Sequence, residues 1–91
     1  MSWKIKVTKQ ASKKIRRIPK KDTKRLLFVL EGFIKNPHQG DIEKLKGEKD
    51  VWRRRIGNYR ILYEIIRERR IVWIFQIQRK TTTTYRKKKL N

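Results

Sequence analysis

The chain begins with an alternation of apolar and polar residues. Trp3, Ile5 and Val7 are separated by single polar or charged residues, and this period of two predicts a half-buried β-strand. The alternation ends at Thr8, a residue type that favours the position just before a helix. A helix is therefore expected to follow the first strand.

Two helices are predicted in the first half of the chain. Ala11, Ile15 and Ile18 recur at helical spacing, and Pro19 stops or kinks this helix because proline disrupts a helix interior. Asp22 is the predicted cap of the second helix, which closes at an Asn-Pro pair. The apolar stripe of the second helix has five members: Leu26, Leu27, Leu30, Phe33 and Ile34. The two helices are expected to form a hairpin that packs on a sheet.

The second half of the chain is strand-like. Three segments rich in β-branched and aromatic residues are predicted strands: residues 51–56, 59–66 and 71–78. Gly57 and Asn58 form a two-residue hairpin turn between the first two strands. Residues 37–50 are predicted to be a loop. Trp52 and Trp73 fall in apolar strand patterns and are predicted to belong to the core.

These elements define a fold class. The predicted order is β-α-α-β-β-β, an α+β fold in which an N-terminal strand and a helical hairpin pack on a mainly antiparallel sheet. No internal repeat or linker composition divides the chain of 91 residues. Residues 1–91 are therefore predicted to form a single domain.

The predicted hairpin turn sets a strand register. With Gly57 and Asn58 in the turn, Arg55 lies opposite Arg60, and alternation places Arg53 on the same face as both. Two like charges directly opposite each other cost roughly 0.2–1 kcal/mol. Either this face is simply solvated, or the arginines form an anion site, because guanidinium groups bind phosphate with two parallel hydrogen bonds.

Arg54 does not fit this pattern, because alternation places it on the apolar face. Two explanations stay open. Its side chain extends past the apolar surface to the edge of the sheet, or a bulge in the strand shifts it to the other face.

The chain is strongly basic. It contains 28 Lys and Arg residues against 8 Asp and Glu, a formal net charge of +20, and the excess is spread evenly over both halves. A compact chain with this charge repels itself and gains from a dense anion. An ion-rich thermophilic surface would need more Glu to balance its cations. We therefore expect a polyanionic partner.

Several classes of protein are excluded by what the sequence lacks. It has no Cys, so disulfides and thiolate metal sites are excluded, and a cytoplasmic location is expected. No apolar run approaches the roughly 18 residues that span a membrane, and no signal-peptide core is recognisable. Paired carboxylates, a Gly-rich phosphate loop, a Ser-His-Asp set and metal motifs are also missing. We therefore expect no metal and no small-molecule cofactor.

Arginine, lysine and tyrosine are the residues left for chemistry. They suit RNA cleavage by the substrate's own 2′-hydroxyl, because the protein then has to bend the backbone for in-line attack and stabilise charge. Tyr85, after the last predicted strand, either packs the C-terminal segment or contacts a base or phosphate. The hypothesis requires several guanidinium groups to converge at one place on the sheet.

The sequence resembles the RelE toxins of bacterial and archaeal toxin–antitoxin pairs. The resemblance covers essentially the whole chain and is sharpest in residues 44–47, 51–63 and 74–79, followed by Tyr85. It implies a metal-independent endoribonuclease, an mRNA interferase that cuts mRNA in the decoding site of the ribosome. It also implies a cognate antitoxin, and the charge excess favours an acidic one.

The resemblance implies a role for each candidate catalytic residue. Arg53 and Arg55 take the two basic positions that face the scissile phosphate, and Arg60 looks like the phosphate-stabilising arginine. Arg79 resembles the arginine that protonates the leaving oxygen or stabilises its charge, and Tyr85 the tyrosine that orients the substrate base. Further RNA contacts are expected from five basic residues: Lys46, Arg54, Lys80, Arg86 and Lys87.

The sequence also departs from the pattern of some relatives. They have Lys where Arg53 and Arg55 stand, and Arg stays protonated, so Arg55 is a poor general base. Two other functions stay open. A ParE-like gyrase inhibitor would share the fold without needing the phosphate-cleaving set, and a non-catalytic nucleic-acid-binding module would share the charge.

Overall fold

The structure, a computed structural model, describes residues 2–79. Its elements in chain order are β1 (Lys4–Val7), α1 (Lys9–Arg16), α2 (Lys20–Lys35), β2 (Ile42–Lys44), β3 (Val51–Ile56), β4 (Tyr59–Ile66), a 3₁₀ turn (Arg67–Arg69) and β5 (Ile71–Arg79). In this part of the chain the strands form one sheet in the order β1-β5-β4-β3-β2. Neighbouring strands are antiparallel except β1 and β5, which are parallel. The predicted α+β fold with a mainly antiparallel sheet is confirmed.

The prediction that residues 37–50 are entirely a loop is wrong, because this segment contains the short edge strand β2. Ile42 lies opposite Arg54 and Glu43 lies opposite Arg53. Ile42 is the one apolar residue of the strand, so the segment has too little alternation to be recognised in the sequence. Short, charged strands are common at sheet edges, where they discourage pairing with other chains.

The helices begin at or near the predicted positions. Thr8 caps α1 as predicted, and its Oγ1 accepts a hydrogen bond from the Ala11 amide at 3.2 Å. Helix α2 is preceded directly by Pro19, so the predicted cap at Asp22 is wrong. Asp22 lies instead in the first turn of α2, where a negative charge is favourable to the helix dipole. Neither helix is long and apolar enough to cross a membrane.

The core lies between the helices and one face of the sheet. From α2 it receives four side chains: Leu26, Val29, Leu30 and Phe33. The predicted stripe is wrong at Leu27 and Ile34, which are 49% and 39% exposed, and it omits Val29. The buried face of α2 is therefore rotated away from these two residues, towards Val29.

Strand β4 is the centre of the core. Tyr59, Ile61, Tyr63 and Ile65 are buried, and the residues between them are more exposed, as the alternation predicted. The prediction that Trp73 belongs to the core is wrong. Trp73 of β5 lies opposite Glu64 and is 43% exposed, because it occupies the outer face of the sheet.

A buried hydrogen bond joins β4 to the segment after α2. The Tyr63 hydroxyl donates to the carbonyl oxygen of Pro37 at 2.8 Å, and the rings of Tyr63 and Phe33 are 4.6 Å apart. Burial raises the pKa of Tyr63, so its hydroxyl remains a donor at every physiological pH. This contact fixes where the chain leaves α2 and turns towards β2.

Candidate nucleic-acid interface

The hairpin of β3 and β4 places three arginines on the sheet face that points away from the helices. Its register is the predicted one, with Arg55 opposite Arg60. Gly57 in the turn has a φ of +59°, a left-handed conformation that glycine adopts at little cost. Because Tyr59 is buried on the helix side, alternation puts Arg53, Arg55 and Arg60 on the outer side.

Edge strand β2 and the residue before it supply carboxylates to two of these arginines. Arg53 Nη2 forms an ion pair with Glu43 Oε1, and Arg55 Nε donates to Asp41 Oδ2 at 3.2 Å. The side chains of Asp41 and Glu43 are 58% and 65% exposed. Exposed ion pairs contribute roughly 0–1 kcal/mol. A competing phosphate can therefore displace these carboxylates at a small cost.

Asp41 and Glu43 were missed by sequence reasoning. The sequence contains one signal for them. Residues 41 and 43 are acidic and residue 42 is apolar, so the two acidic residues are two positions apart, as are Arg53 and Arg55 of β3. The sequence predicts a loop where β2 lies, so it does not indicate that the two alternations lie side by side. The carboxylates change the electrostatics of the outer face from purely basic to mixed beside β3.

Arg54 lies on the helix side of the sheet, opposite Ile61 of β4. Its Nη1 donates to the carbonyl oxygen of Arg55 at 2.8 Å. Its guanidinium group packs against Gly40, so closely that a Cβ added to Gly40 would lie 2.7 Å from Arg54 Cζ. The β3–β4 pairing is regular, so the first explanation holds: the side chain reaches the sheet margin without a bulge in its strand. Arg54 is therefore not brought together with Arg53 and Arg55.

The sheet does contain a bulge, and it decides the position of Arg79. The register between β4 and β5 shifts at Leu62 and Tyr63, which pair with Gln76 and Ile74, so Phe75 is the extra residue. A shift of one residue moves every later side chain to the opposite face. Strand β5 beyond the bulge therefore buries Ile77.

Beyond that bulge, Arg79 lies opposite Tyr59, on the helix side of the sheet. Its guanidinium carbon is 5.7 Å from the centroid of the Tyr59 ring, within the range of a cation–π contact. The expected convergence of guanidinium groups on one face is therefore only partly correct. Arg53, Arg55 and Arg60 share the outer face, and Arg79 comes from the other side.

A cleft at the margin of β5 nevertheless brings Arg60 and Arg79 together. Strand β1 pairs with β5 only over Ile71–Ile74, so residues 75–79 pair with β4 on one side and have no strand of residues 2–79 on the other. The cleft at this edge is lined by six residues: Lys14, Arg60, Gln76, Ile77, Gln78 and Arg79. Both arginines can therefore reach an anion that enters from this edge.

The remaining candidate residues are less well placed or lie outside the described residues. Lys46 is exposed in the turn between β2 and β3. The other four candidates follow β5 in the sequence and lie outside residues 2–79: Lys80, Tyr85, Arg86 and Lys87. Their predicted roles stay predictions.

Three acidic residues near the sheet, Asp41, Glu43 and Asp50, each contact an arginine. Asp50 Oδ2 accepts a hydrogen bond from Arg67 Nε at 2.8 Å, and Oδ1 accepts one from Trp52 Nε1 at 3.1 Å. Burial raises the pKa of Asp50, but the hydrogen bonds from Arg67 and Trp52 outweigh it and hold the pKa below its usual value. Within residues 2–79 no group of three or more His, Asp or Glu side chains could hold a metal ion.

Comparison with known proteins identifies the family. The model of the ParE toxin family, toxins of type II toxin–antitoxin systems, matches residues 5–82. A protein of Methanocaldococcus jannaschii named toxin RelE1 is 30% identical over 83 residues, which cover 88% of this chain and 92% of that protein. The chain belongs to the RelE/ParE superfamily of type II toxins.

Solved structures agree on the fold. The toxin in the RelE–RelB complex of Pyrococcus horikoshii has a TM-score of 0.79 and 25% identity, over 90% of this chain and 99% of that one. The isolated RelE toxin of Escherichia coli has a TM-score of 0.77 and 18% identity, over 98% and 99% of the two chains. The strand and helix order described above is therefore that of the RelE toxins.

Proposed function

We propose that this toxin is a ribosome-dependent endoribonuclease that cuts mRNA through attack by the 2′-hydroxyl of the substrate. The observation that carries the proposal is the cleft at the margin of β5, where Arg60 and Arg79 face the same space. Arg55 lies opposite Arg60 on the neighbouring strand, so a third guanidinium group is next to the first. Two or three guanidinium groups around one phosphodiester match the charge that develops when it is cut.

The proposed reaction needs little from the protein beyond position and charge. The 2′-oxygen forms a bond to the adjacent phosphorus, and the bond from phosphorus to the 5′-oxygen of the next nucleotide breaks. The products are a 2′,3′-cyclic phosphate and a free 5′-hydroxyl. Arg60 stabilises the negative charge on the phosphate oxygens, and Arg79 stabilises the charge on the leaving 5′-oxygen until it takes a proton from water. No metal ion or cofactor is required for these two roles.

Proton transfer cannot be assigned to the arginines of β3. A guanidinium group is a poor general base, because arginine does not give up its proton in proteins. The proposed role of Arg53 and Arg55 is to hold the RNA backbone in line for attack, after phosphate has displaced Glu43 and Asp41. Solvent takes the 2′-proton in this scheme, either directly or through Tyr85, whose hydroxyl accepts the proton while it passes its own to water, and the same tyrosine orients the base.

The proposal includes two macromolecular partners. The homologous toxins of Pyrococcus horikoshii and Mycobacterium tuberculosis were crystallised with their antitoxins. We infer that this chain also binds a cognate antitoxin, and its net charge of +20 favours an acidic one. The second partner is the ribosome, whose RNA offers phosphate to a basic surface while it presents mRNA for cutting.

The test is to map mRNA ends in a translating extract after adding the protein. Wild type should produce cuts positioned on codons and ending in 5′-hydroxyl groups. The variant Arg79→Ala/Tyr85→Phe should produce at least tenfold fewer cuts, because it removes charge stabilisation and base orientation, effects that each reach about tenfold or more. Arg79→Ala alone tests the arginine, and Arg69→Ala, which removes an exposed arginine of the 3₁₀ turn in its place, is its matched control.

Three outcomes would contradict the proposal. Equal loss of cutting in the Arg69 and Arg79 variants would mean that overall charge, and not the cleft, matters. Intact mRNA with inhibited DNA supercoiling would support a gyrase inhibitor instead. RNA binding with neither cleavage nor translation arrest would support a binding module.

A further inference from the structure

The cleft at the margin of β5 is lined by one basic side chain that comes from a helix and not from the sheet. Its volume is about 470 Å³, and Lys14 of α1 lines it together with Arg60 and Arg79. Lys14 lies far from both arginines in the sequence and outside the segments in which the resemblance to RelE toxins is sharpest. Its presence in the cleft follows from the packing of α1 on β5.

The position of Lys14 is fixed by the start of α1. The Thr8 amide donates to the Ile74 carbonyl oxygen at 3.0 Å, and Thr8 Oγ1 contacts the Phe75 carbonyl oxygen at 3.4 Å. These bonds attach the N-terminus of α1 to β5 at the bulge. Ala11 is buried and Ile15 packs against the core, so the helix cannot rotate freely about this attachment.

The positive charge of this cleft is not neutralised by the side chains that line it. Among the residues of 2–79 that line it there are three cations and no acidic side chain. The groove beside β2 is different, because there Arg53 and Arg55 face Glu43 and Asp41. The two neutral amides of the cleft, Gln76 and Gln78, offer hydrogen-bond donors without adding negative charge.

We propose that Lys14 completes a second phosphate site in this cleft and binds the phosphodiester next to the one that is cut. The inference rests on the proposed function, because it takes single-stranded RNA as the ligand. A strand whose scissile phosphate sits at Arg60 has its next phosphate one nucleotide away, and Lys14 lines the same cleft as Arg60. Lysine binds phosphate as a point charge and tolerates variation in backbone geometry.

The experiment is an RNA-binding titration with a single-stranded oligonucleotide that is 2′-O-methylated at every position and so cannot be cut. Dissociation constants are measured over a range of salt concentrations for wild type, Lys14→Ala, Lys14→Arg and Lys13→Ala. Lys13 is the matched control, because it is exposed on the same helix and does not line the cleft. Thermal melting of each variant checks that the fold is retained.

The expected result separates one contact from general electrostatics. Lys14→Ala should weaken binding about fivefold at low salt and lower the slope of log Kd against log salt by about 0.7, the value for one phosphate on a single strand. Lys14→Arg should restore both quantities. Lys13→Ala should change binding less than twofold and leave the slope unchanged.

Other outcomes overturn the inference. Equal effects of the Lys13 and Lys14 variants would show that only net charge matters. If Lys14→Ala leaves RNA binding unchanged but weakens binding of a glutamate-rich peptide used as a probe, the cleft serves an acidic protein. The titration uses RNA that cannot be cut, so it tests binding separately from cleavage. If the protein binds this RNA through Lys14 but leaves mRNA intact, the proposed function is refuted and the phosphate site at Lys14 is retained.

Discussion

At the scale of single residues, two of the three arginines of β3 are paired with acidic neighbours. Glu43 and Asp41 contact Arg53 and Arg55, and Arg53 Nε is buried without a hydrogen-bond partner in residues 2–79. A buried donor without a partner is unfavourable, whereas the Arg53 Nη2 and Arg55 Nε groups that the carboxylates contact are ones that a phosphate could otherwise bind. The carboxylates therefore lower the affinity of this groove for anions while leaving the arginines in place.

Removing both carboxylates should strengthen RNA binding. Asp41→Asn/Glu43→Gln keeps the side-chain shapes, removes two negative charges and frees two guanidinium groups, so we expect roughly tenfold tighter binding at low salt and a smaller gain at high salt. The control is Glu31→Gln/Glu68→Gln, which changes the net charge equally at exposed positions on α2 and the 3₁₀ turn. Fluorescence titration with single-stranded RNA makes the measurement, and equal gains in both variants would contradict the local effect.

At the scale of elements, β4 connects the sheet, the helices and the segment before β2. It pairs with β3 on one side and β5 on the other, and its Tyr63 hydroxyl donates to the Pro37 carbonyl oxygen. The Tyr59 hydroxyl also donates, to Asp22 Oδ2 at 3.0 Å on α2. These two contacts hold opposite ends of α2 against the strand that carries Arg60.

The Tyr63 contact should matter more for stability. Tyr63→Phe leaves the buried Pro37 carbonyl oxygen without its donor, so we expect the free energy of unfolding to fall by roughly 1–3 kcal/mol. Tyr59→Phe should lose less, because Asp22 is only half-buried and water can replace the hydroxyl. Urea denaturation followed by circular dichroism measures both, and an unchanged midpoint for Tyr63→Phe would show that the hydrogen bond is not stabilising.

At the scale of the whole molecule, the dominant feature is the excess of positive charge. The formal net charge is +20, and residues 2–79 contain three ion pairs, those of Arg53, Arg55 and Arg67. Repulsion among the remaining cations destabilises the compact state, and salt weakens repulsion between exposed charges beyond about 8 Å at physiological ionic strength. The molecule is therefore expected to be more stable with an anionic partner than alone.

The melting temperature should accordingly rise with salt. Between 20 and 300 mM sodium chloride we expect an increase of roughly 3–6 °C, because screening relieves more repulsion than attraction. Lys20→Gln/Lys21→Gln/Lys24→Gln should melt higher at low salt and respond less, since these exposed cations crowd the positive end of the α2 dipole. Differential scanning fluorimetry measures both, and a melting temperature that falls with salt would mean that the ion pairs dominate.

Local patterns were sufficient for a large part of the fold. The Thr8 cap, the β3–β4 hairpin and the pairing of Arg55 with Arg60 depend on residues close together in the sequence, and all three were predicted and found. Alternation and turn preferences act over a few residues, so they can be recognised without knowing the rest of the structure. For the same reason the shared outer face of Arg53, Arg55 and Arg60 could be predicted.

Long-range packing decided the rest. Three features join residues that are well separated in the sequence. They are the parallel pairing of β1 with β5, the contacts of Asp41 and Glu43 with arginines of β3, and the position of Lys14 in the cleft. Simple alternation from Val72 and Ile74 would place Arg79 on the outer face, but the bulge at Phe75 moves it to the helix side. A bulge is selected by how two strands fit on a common core, and that fit exists only once the chain has folded.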